Sequence, residues 1–166
     1  MEVKIKKLHK DAVVPQYATS GSAGMDITAT SKEFDSDGNI VYGTGLAFEI
    51  PKGYVGLLFP RSSNTKKDLV LLNSVGVLDS DYRGEVTFKY RPTINTINLF
   101  SFWWQKYILR KKVYDLPLLN FGRNQYNVGD RIGQIIIVEH PYIEFKESET
   151  LSETERGAGG YGSSGK

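Results

Sequence analysis

The densest chemistry in this chain lies in one stretch, Gly76-Val77-Leu78-Asp79-Ser80-Asp81-Tyr82-Arg83-Gly84-Glu85. Between Asp79 and Arg83 it carries two carboxylates, a phenol and a guanidinium. Asp and Ser in turns ordinarily cap their own backbone, so the stretch gains meaning only from the company it keeps. Pro60-Arg61-Ser62-Ser63 follows an apolar run. Its guanidinium and hydroxyls can bind phosphate through charge and directed donors, although Arg-Ser-Ser also arises by chance. Asp26 sits inside Ala23-Gly24-Met25-Asp26-Ile27-Thr28-Ala29, and an unpartnered carboxylate in an apolar strand is costly. It is either a turn residue at a strand start or a carboxylate aimed at a cation or an arginine. Gln134 interrupts the apolar run Ile132 to Val138, and either faces solvent or points an amide into a site. The last residues, Arg156-Gly157-Ala158-Gly159-Gly160-Tyr161-Gly162-Ser163-Ser164-Gly165-Lys166, read as a flexible Gly/Ser tail. The alternative is a lid whose N–H groups, hydroxyls and Arg156 close over phosphates, with Tyr161 as a stacking face. It is not a Walker phosphate loop, because no strand leads in and no helix follows.

Composition narrows the chemistry. A chain of 166 residues, 40% hydrophobic and 24% charged, suits one soluble domain with a sizeable core. A net charge of +2 does not call for nucleic acid. There is no cysteine, which excludes disulfides, thiol catalysis and cysteine-ligated zinc. Only His9 and His140 supply imidazoles, so a His-based triad or a multi-His metal site is not expected. The polar N-terminus, Met-Glu-Val-Lys-Ile-Lys-Lys, is unlike a signal peptide, and no apolar run approaches a membrane span. The expectation is a cytosolic protein, in the host cytoplasm if viral, with no membrane and no direct nucleic-acid partner.

The elements that must position these groups are strands. Val3 to Leu8 alternates apolar and basic residues; Ala23 to Ala29, Gly45 to Ile50 and Tyr54 to Phe59 are further candidates. Leu69 to Leu72 and Val86 to Tyr90 flank the Gly76–Glu85 stretch as the arms of a β-hairpin. Gly129-Asp130 turns into a strongly β-branched strand. A brief helix over Asn64 to Leu69 is the only one expected in the core. Many short strands broken by Gly and Pro argue for an all-β sandwich, jelly roll or barrel. Between Arg91 and Asn127 lies a segment with both tryptophans, Leu99-Phe100-Ser101-Phe102-Trp103-Trp104-Gln105-Lys106-Tyr107-Ile108-Leu109, then Arg110-Lys111-Lys112. Helical and strand periodicities fit it equally. It is a pad packing onto the domain or a partner surface.

Taken in order, these segments resemble the five motifs of the trimeric dUTPase family. They are Ala23-Gly24-Met25-Asp26-Ile27; Pro60-Arg61-Ser62-Ser63; Asn73 through Gly76 to Glu85; Gly129-Asp130-Arg131-Ile132-Gly133-Gln134; and Arg156-Gly157 with Gly159 to Gly165. The third and fifth are the specific ones. Met25 stands where an aromatic is common, Ser63 where many members have Gly, Gly133 for the usual Ala and Tyr161 for the usual Phe. The gap between third and fourth motifs is longer than the compact family pattern. Inserts there resemble those of phage members, where they can bind regulatory partners; Phe100, Trp103 and Trp104 are the candidates here.

The resemblance implies a jelly-roll-like β fold of the β-clip type, and a homotrimer with C-terminal arm exchange. Its domain division is residues 1–147, with the insert at about 92–126, and an arm over 148–166. It implies hydrolysis of dUTP to dUMP and pyrophosphate with Mg²⁺. Asp79 would activate the water and Asp26 would hold the metal through water. Asn73, Gly76, Leu78, Tyr82 and Tyr161 would take uracil and deoxyribose. Arg61, Ser62, Ser63, Gln134, Arg156, Gly162, Ser163 and Ser164 would take the phosphates. Competing readings are dCTP deaminase, which shares the fold and an Arg-Ser-Ser motif, a regulatory protein working through the insert, and a nucleotide-binding module without turnover. The intact Gly76–Glu85 stretch and closing tail argue against the first, and retention of Asp79 against the last.

Overall fold

A computed structural model of the chain describes residues 1–93 and 124–160. Its strands are β1 (Lys4–Lys7), β2 (Met25–Thr28), β3 (Glu33–Phe34), β4 (Ile40–Gly43), β5 (Leu46–Glu49), β6 (Tyr54–Phe59), β7 (Leu69–Leu71), β8 (Gly76–Leu78), β9 (Thr87–Pro92) and β10 (Arg131–Glu139). All named pairings are antiparallel. One four-stranded sheet runs β2-β10-β6-β8, a second runs β3-β4-β9-β7, and β1 pairs with β5. The all-β expectation therefore holds.

Period-two patterning explains the layers. Along β9 the side chains of Phe88 and Tyr90 are buried while Thr87, Lys89 and Arg91 are exposed, as one face of a half-buried strand requires. Phe88, Tyr90 and Tyr42 of the second sheet meet Ile27, Ile132 and Ile135 of the first, all essentially inaccessible to solvent. Burying each such side chain contributes about 1.5–3 kcal/mol. Tyr42 and Tyr90 pack edge to face at 5.9 Å, and Tyr126 joins them at 6.1 and 5.9 Å. A buried phenol needs a partner. Tyr90 donates to the Ile132 carbonyl at 2.7 Å, tying the two sheets together, and Tyr42 donates to the Tyr126 carbonyl at 3.0 Å. Burial pushes the Tyr42 hydroxyl up to about 12.

Three local features differ from expectation. The helix is a short 3-10 turn over Ser62–Lys66, starting in the Arg-Ser-Ser motif itself, with Thr65 Oγ1 donating to the Ser62 carbonyl at 2.8 Å. Strands β3 and β4 were not foreseen, because the Asp35–Asn39 turn signal dominated that region. The runs around the Gly76–Glu85 stretch do pair, Leu71 opposite Tyr90. Their connection is no tight turn, however: its first part forms β8, which leaves the second sheet and pairs with β6 of the first.

Candidate functional site

Strand register assembles the first, second and fourth motifs. On β10, Gln134 lies opposite Asp26 of β2 on one side and Phe59 of β6 on the other. Residues that follow Phe59, namely Pro60, Arg61 and Ser62, therefore emerge beside Asp26 and Gln134. Gln134 Nε2 donates to the Pro60 carbonyl at 3.2 Å. Gly24 makes room for that amide, since a Cβ there would stand 2.7 Å from Gln134 Oε1. Thus Gly24, two residues before Asp26, positions a glutamine on the neighbouring strand β10, far away in sequence. Gln134 points inward to this cluster, which resolves the choice left open by its sequence.

Asp26 is a carboxylate aimed at arginines. Arg61 Nε donates to Oδ1 at 2.7 Å and Arg131 Nη1 donates to Oδ2 at 3.0 Å. Such charge-assisted bonds are short and directional. Arg61 Nη1 also donates to Ser63 Oγ at 3.3 Å. Two guanidiniums, one amide and the Ser63 hydroxyl thus meet at one partly exposed edge, with Ser62 beside them in the chain, a donor set suited to anionic oxygens. Arg131 was not singled out in advance. Its signal was weak, a basic residue at a strand start, and only the β2–β10 pairing brings it to Asp26.

The third motif is a self-bonded scaffold. The Tyr82 ring folds back over Gly84, where any Cβ would overlap the phenol. Its hydroxyl donates to the Glu85 carbonyl at 3.1 Å. Arg83 Nη1 donates to the carbonyls of Ser80 and Tyr82 at 2.7 and 3.0 Å, so this guanidinium braces the loop. Glu85 Oε1 accepts from the Gly45 amide at 2.7 Å, which pins the stretch to the turn between β4 and β5. Asn73 lies over Gly76: a Cβ on Gly76 would stand 3.3 Å from Asn73 Nδ2 and 3.0 Å from Leu58 Cβ. Bare backbone and an amide side chain are therefore adjacent there. Leu78 buries its side chain, leaving only its main chain to a ligand. Asp79 is exposed, in an open cleft with Lys4, Lys52, Tyr54, Arg83 and His140.

Within one chain the halves do not meet. Asp79 follows Leu78, which is opposite Gly56, whereas Arg61 follows Phe59 at the other end of β6. At about 3.3 Å per residue, roughly 15 Å of strand separates them. Arg156 is exposed and donates to the Gly159 carbonyl at 2.9 Å, so the structure does not bring it to the cluster. Tyr161, Gly162, Ser163 and Ser164, and Phe100, Trp103 and Trp104 of the insert, lie outside the described residues.

The family model for dUTPase matches residues 10–99 and 115–165. The chain belongs to the dUTPase family. The match breaks between the third and fourth motifs, where the sequence places the insert. The deoxyuridine 5'-triphosphate nucleotidohydrolase of Nautilia profundicola is 37% identical, with 100% of both chains covered. That of Wolinella succinogenes is 35% identical, covering 100% of this chain and 95% of the relative. Among solved structures, the dUTPase of Staphylococcus bacteriophage 80alpha with dUpNHpp superposes with a TM-score of 0.76 at 28% identity, over 99% of this chain and 98% of the other. The phage phi11 dUTPase of S. aureus, in a structure described as showing a structural Mg(II) ion, shares the fold with a TM-score of 0.67 at 24% identity, over 91% of this chain and 99% of the other. These matches carry the jelly-roll-like β fold of the family to this chain.

The metal question can be put to the donor set. Among the described residues no three His, Cys, Asp or Glu side chains cluster as metal ligands. Both Asp26 oxygens already accept from arginines, yet each keeps a lone pair. That fits Mg²⁺ held through its own waters and substrate phosphates, the mode this ion prefers, and not a direct protein cage.

Proposed function

We propose that this dUTPase-family chain hydrolyses dUTP to dUMP and pyrophosphate. The observation that carries this is the register that sets Asp26, Gln134 and the Arg61–Ser63 turn side by side. Water attacks the α-phosphorus in line; the new P–O bond forms as the bond to the β-phosphate bridging oxygen breaks, and pyrophosphate leaves with that electron pair. Asp79 takes the proton from the water and fixes its position, and positioning supplies much of the rate. Ser62, Gln134 and the backbone around Ser63 donate to the α- and β-phosphates, and Arg61 organises them. Arg156, Gly162, Ser163 and Ser164 close over the γ-phosphate. Mg²⁺, when bound through the waters that Asp26 holds, neutralises triphosphate charge.

Specificity belongs to the third motif. Its backbone with Asn73 pairs with the uracil edge; cytosine reverses a donor and an acceptor, leaving buried groups unpaired at about 1–3 kcal/mol each. The methyl of thymine overpacks a tight pocket at a similar ~1–3 kcal/mol. Tyr82 lies under the deoxyribose and leaves no room for a 2′-hydroxyl, and Tyr161 stacks on the base.

The reading requires a homotrimer in which the Asp79 surface, the phosphate motifs and the arm come from three copies. The separation of Asp79 from Arg61 within one chain supports it. So does the segment after β10, which has no regular structure up to Gly160 and exposes Tyr142 at 86% and Phe145 at 96%. Such large apolar side chains call for cover. We assign the protein to the cytoplasm; among the described residues no helix is long and apolar enough to cross a membrane. A protein partner for the insert, through Phe100, Trp103 and Trp104, belongs to the same proposal.

The test is pyrophosphate release from dUTP with Mg²⁺, beside dTTP, dCTP and UTP. Release from dUTP alone is expected. Release from several nucleotides overturns the specificity assignment, and ammonia from dCTP overturns the reaction itself.

A further inference from the structure

Tyr126 stands at the C-terminal end of the insert and belongs to none of the motifs, yet it reaches the phosphate turn. It is 2% exposed, its ring packed on Tyr42 and Tyr90. Its hydroxyl donates to Asn64 Oδ1 at 3.3 Å. Asn64 Nδ2 in turn donates to the Leu69 carbonyl at 3.0 Å, which anchors the 3-10 turn to β7. On the other side Ser63 Oγ accepts from Arg61 Nη1, and Arg61 Nε donates to Asp26. The Asn64 amide donates to the Arg61 carbonyl at 2.9 Å, so one connected chain of bonds runs from the core to the carboxylate: Tyr126, Asn64, Arg61, Asp26. Arg61 and Ser63 sit on a short turn with no buried side chain of its own. A turn without an apolar anchor is held by its hydrogen bonds and its flanking strands.

We propose that Tyr126 is a positioning residue for nucleotide hydrolysis, holding the Arg61–Ser63 turn in phosphate-binding geometry through its hydroxyl. This rests on the phosphate role given above to Arg61 and Ser63. Phenylalanine keeps the ring and removes only the oxygen, so Tyr126→Phe leaves the aromatic packing in place. Asn64 then loses its side-chain donor from the core, and Arg61, bonded to the Asn64 amide, loses a fixed neighbour. Small misplacements of catalytic groups cost rate steeply.

The experiment compares binding of deoxyuridine and of a non-hydrolysable dUTP analogue to the full-length wild-type and Tyr126→Phe proteins, with kcat and KM for dUTP. The expected result is a five- to tenfold loss of affinity for the analogue and about a tenfold loss of kcat/KM. Deoxyuridine affinity stays within twofold. Asn64→Ala, which removes the acceptor, shows the same split, and the double variant loses less than the product of the two. Equal weakening of both ligands overturns the proposal, because it marks general loosening of the fold; so does an unchanged affinity for the analogue. Failure of the wild-type chain to bind the analogue overturns the phosphate assignment itself, and the role of Tyr126 with it.

Discussion

Gly133 and Phe88 share one volume. A Cβ on Gly133 would fall inside the Phe88 ring and 3.0 Å from the Phe59 carbonyl oxygen. Both residues are buried, Gly133 on β10 of one sheet and Phe88 on β9 of the other. Resemblance to the family leads one to expect Ala at position 133; the chain has Gly because the aromatic ring from the facing sheet occupies that space.

Gly133→Ala should therefore destabilise the fold by overpacking, by about 1–3 kcal/mol. Thermal unfolding of the single variant, of Phe88→Leu and of the pair checks this. Phe88→Leu alone leaves a void, and the double variant should recover much of the loss, since contacting residues are non-additive. Additive losses would show that the two do not compete for space.

A second expectation concerns acid. The Lys89 ammonium, at 2.6 Å, and then the Asn39 amide hold the Asp35 carboxyl well below the usual carboxylate range. A folded pKa depressed in this way adds stability that is fully present above the unfolded value, about 3.9, and is lost as pH falls toward the folded one. Asp35→Asn should thus lower the melting temperature at pH 7, and the gap from wild type should close progressively below about pH 4. Melting curves from pH 2 to 7 read it; a gap that is constant with pH contradicts the ion pair's role.

Most strands could be read from the chain because their signals are local. Tyr54–Phe59 matches its expected bounds, and the buried β10 is a β-branched run. What could not be read is cross-strand placement. No local pattern says that Gln134 faces Asp26, that Gly24 clears space for the Gln134 amide, or that Arg131 is the second guanidinium on Asp26. Those depend on register between strands far apart in sequence. The β8 excursion was hidden for the same reason: Gly76-Val77-Leu78 looks like part of a turn until β6 supplies its partner.

Gly24 offers a test of that placement. Gly24→Ala sets a methyl 2.7 Å from Gln134 Oε1 and should swing the amide away from the Pro60 carbonyl. Loss of one donor to the transition state typically costs 10²–10³ in kcat; displacement should cost less, about tenfold, with little change in melting temperature. Steady-state kinetics beside Gln134→Ala would show the two losses overlapping. A fully active Gly24→Ala would place Gln134 outside the chemistry.

Asp79→Asn keeps shape and removes the base. Turnover of dUTP should fall by about 10²–10⁴ while affinity for a non-hydrolysable analogue is retained. Side-by-side turnover and calorimetric titration check it. Normal turnover by this variant would assign the base elsewhere.

The last prediction concerns the insert. Both of its roots are stitched to one residue: Thr93 donates its amide to the Asp68 carbonyl at 2.9 Å, and the Asp68 amide donates to the Asn124 carbonyl at 3.2 Å. Asn124 also donates to Asp68 Oδ2 at 3.4 Å. Two chain ends that flank a common residue lie about 10 Å apart, two interstrand spacings, a span that a few Gly and Ser residues bridge. Shortening a loop changes closure entropy only slowly with length. Replacing residues 95–122 by such a linker should therefore preserve the fold and dUTP turnover within about threefold, while abolishing any interaction that the Trp-rich segment makes. Circular dichroism, melting and pyrophosphate release read the first part, and a binding assay against a captured partner reads the second. Collapse of the fold in the excised chain, with Asp68 intact, would instead make the segment a structural pad of the domain.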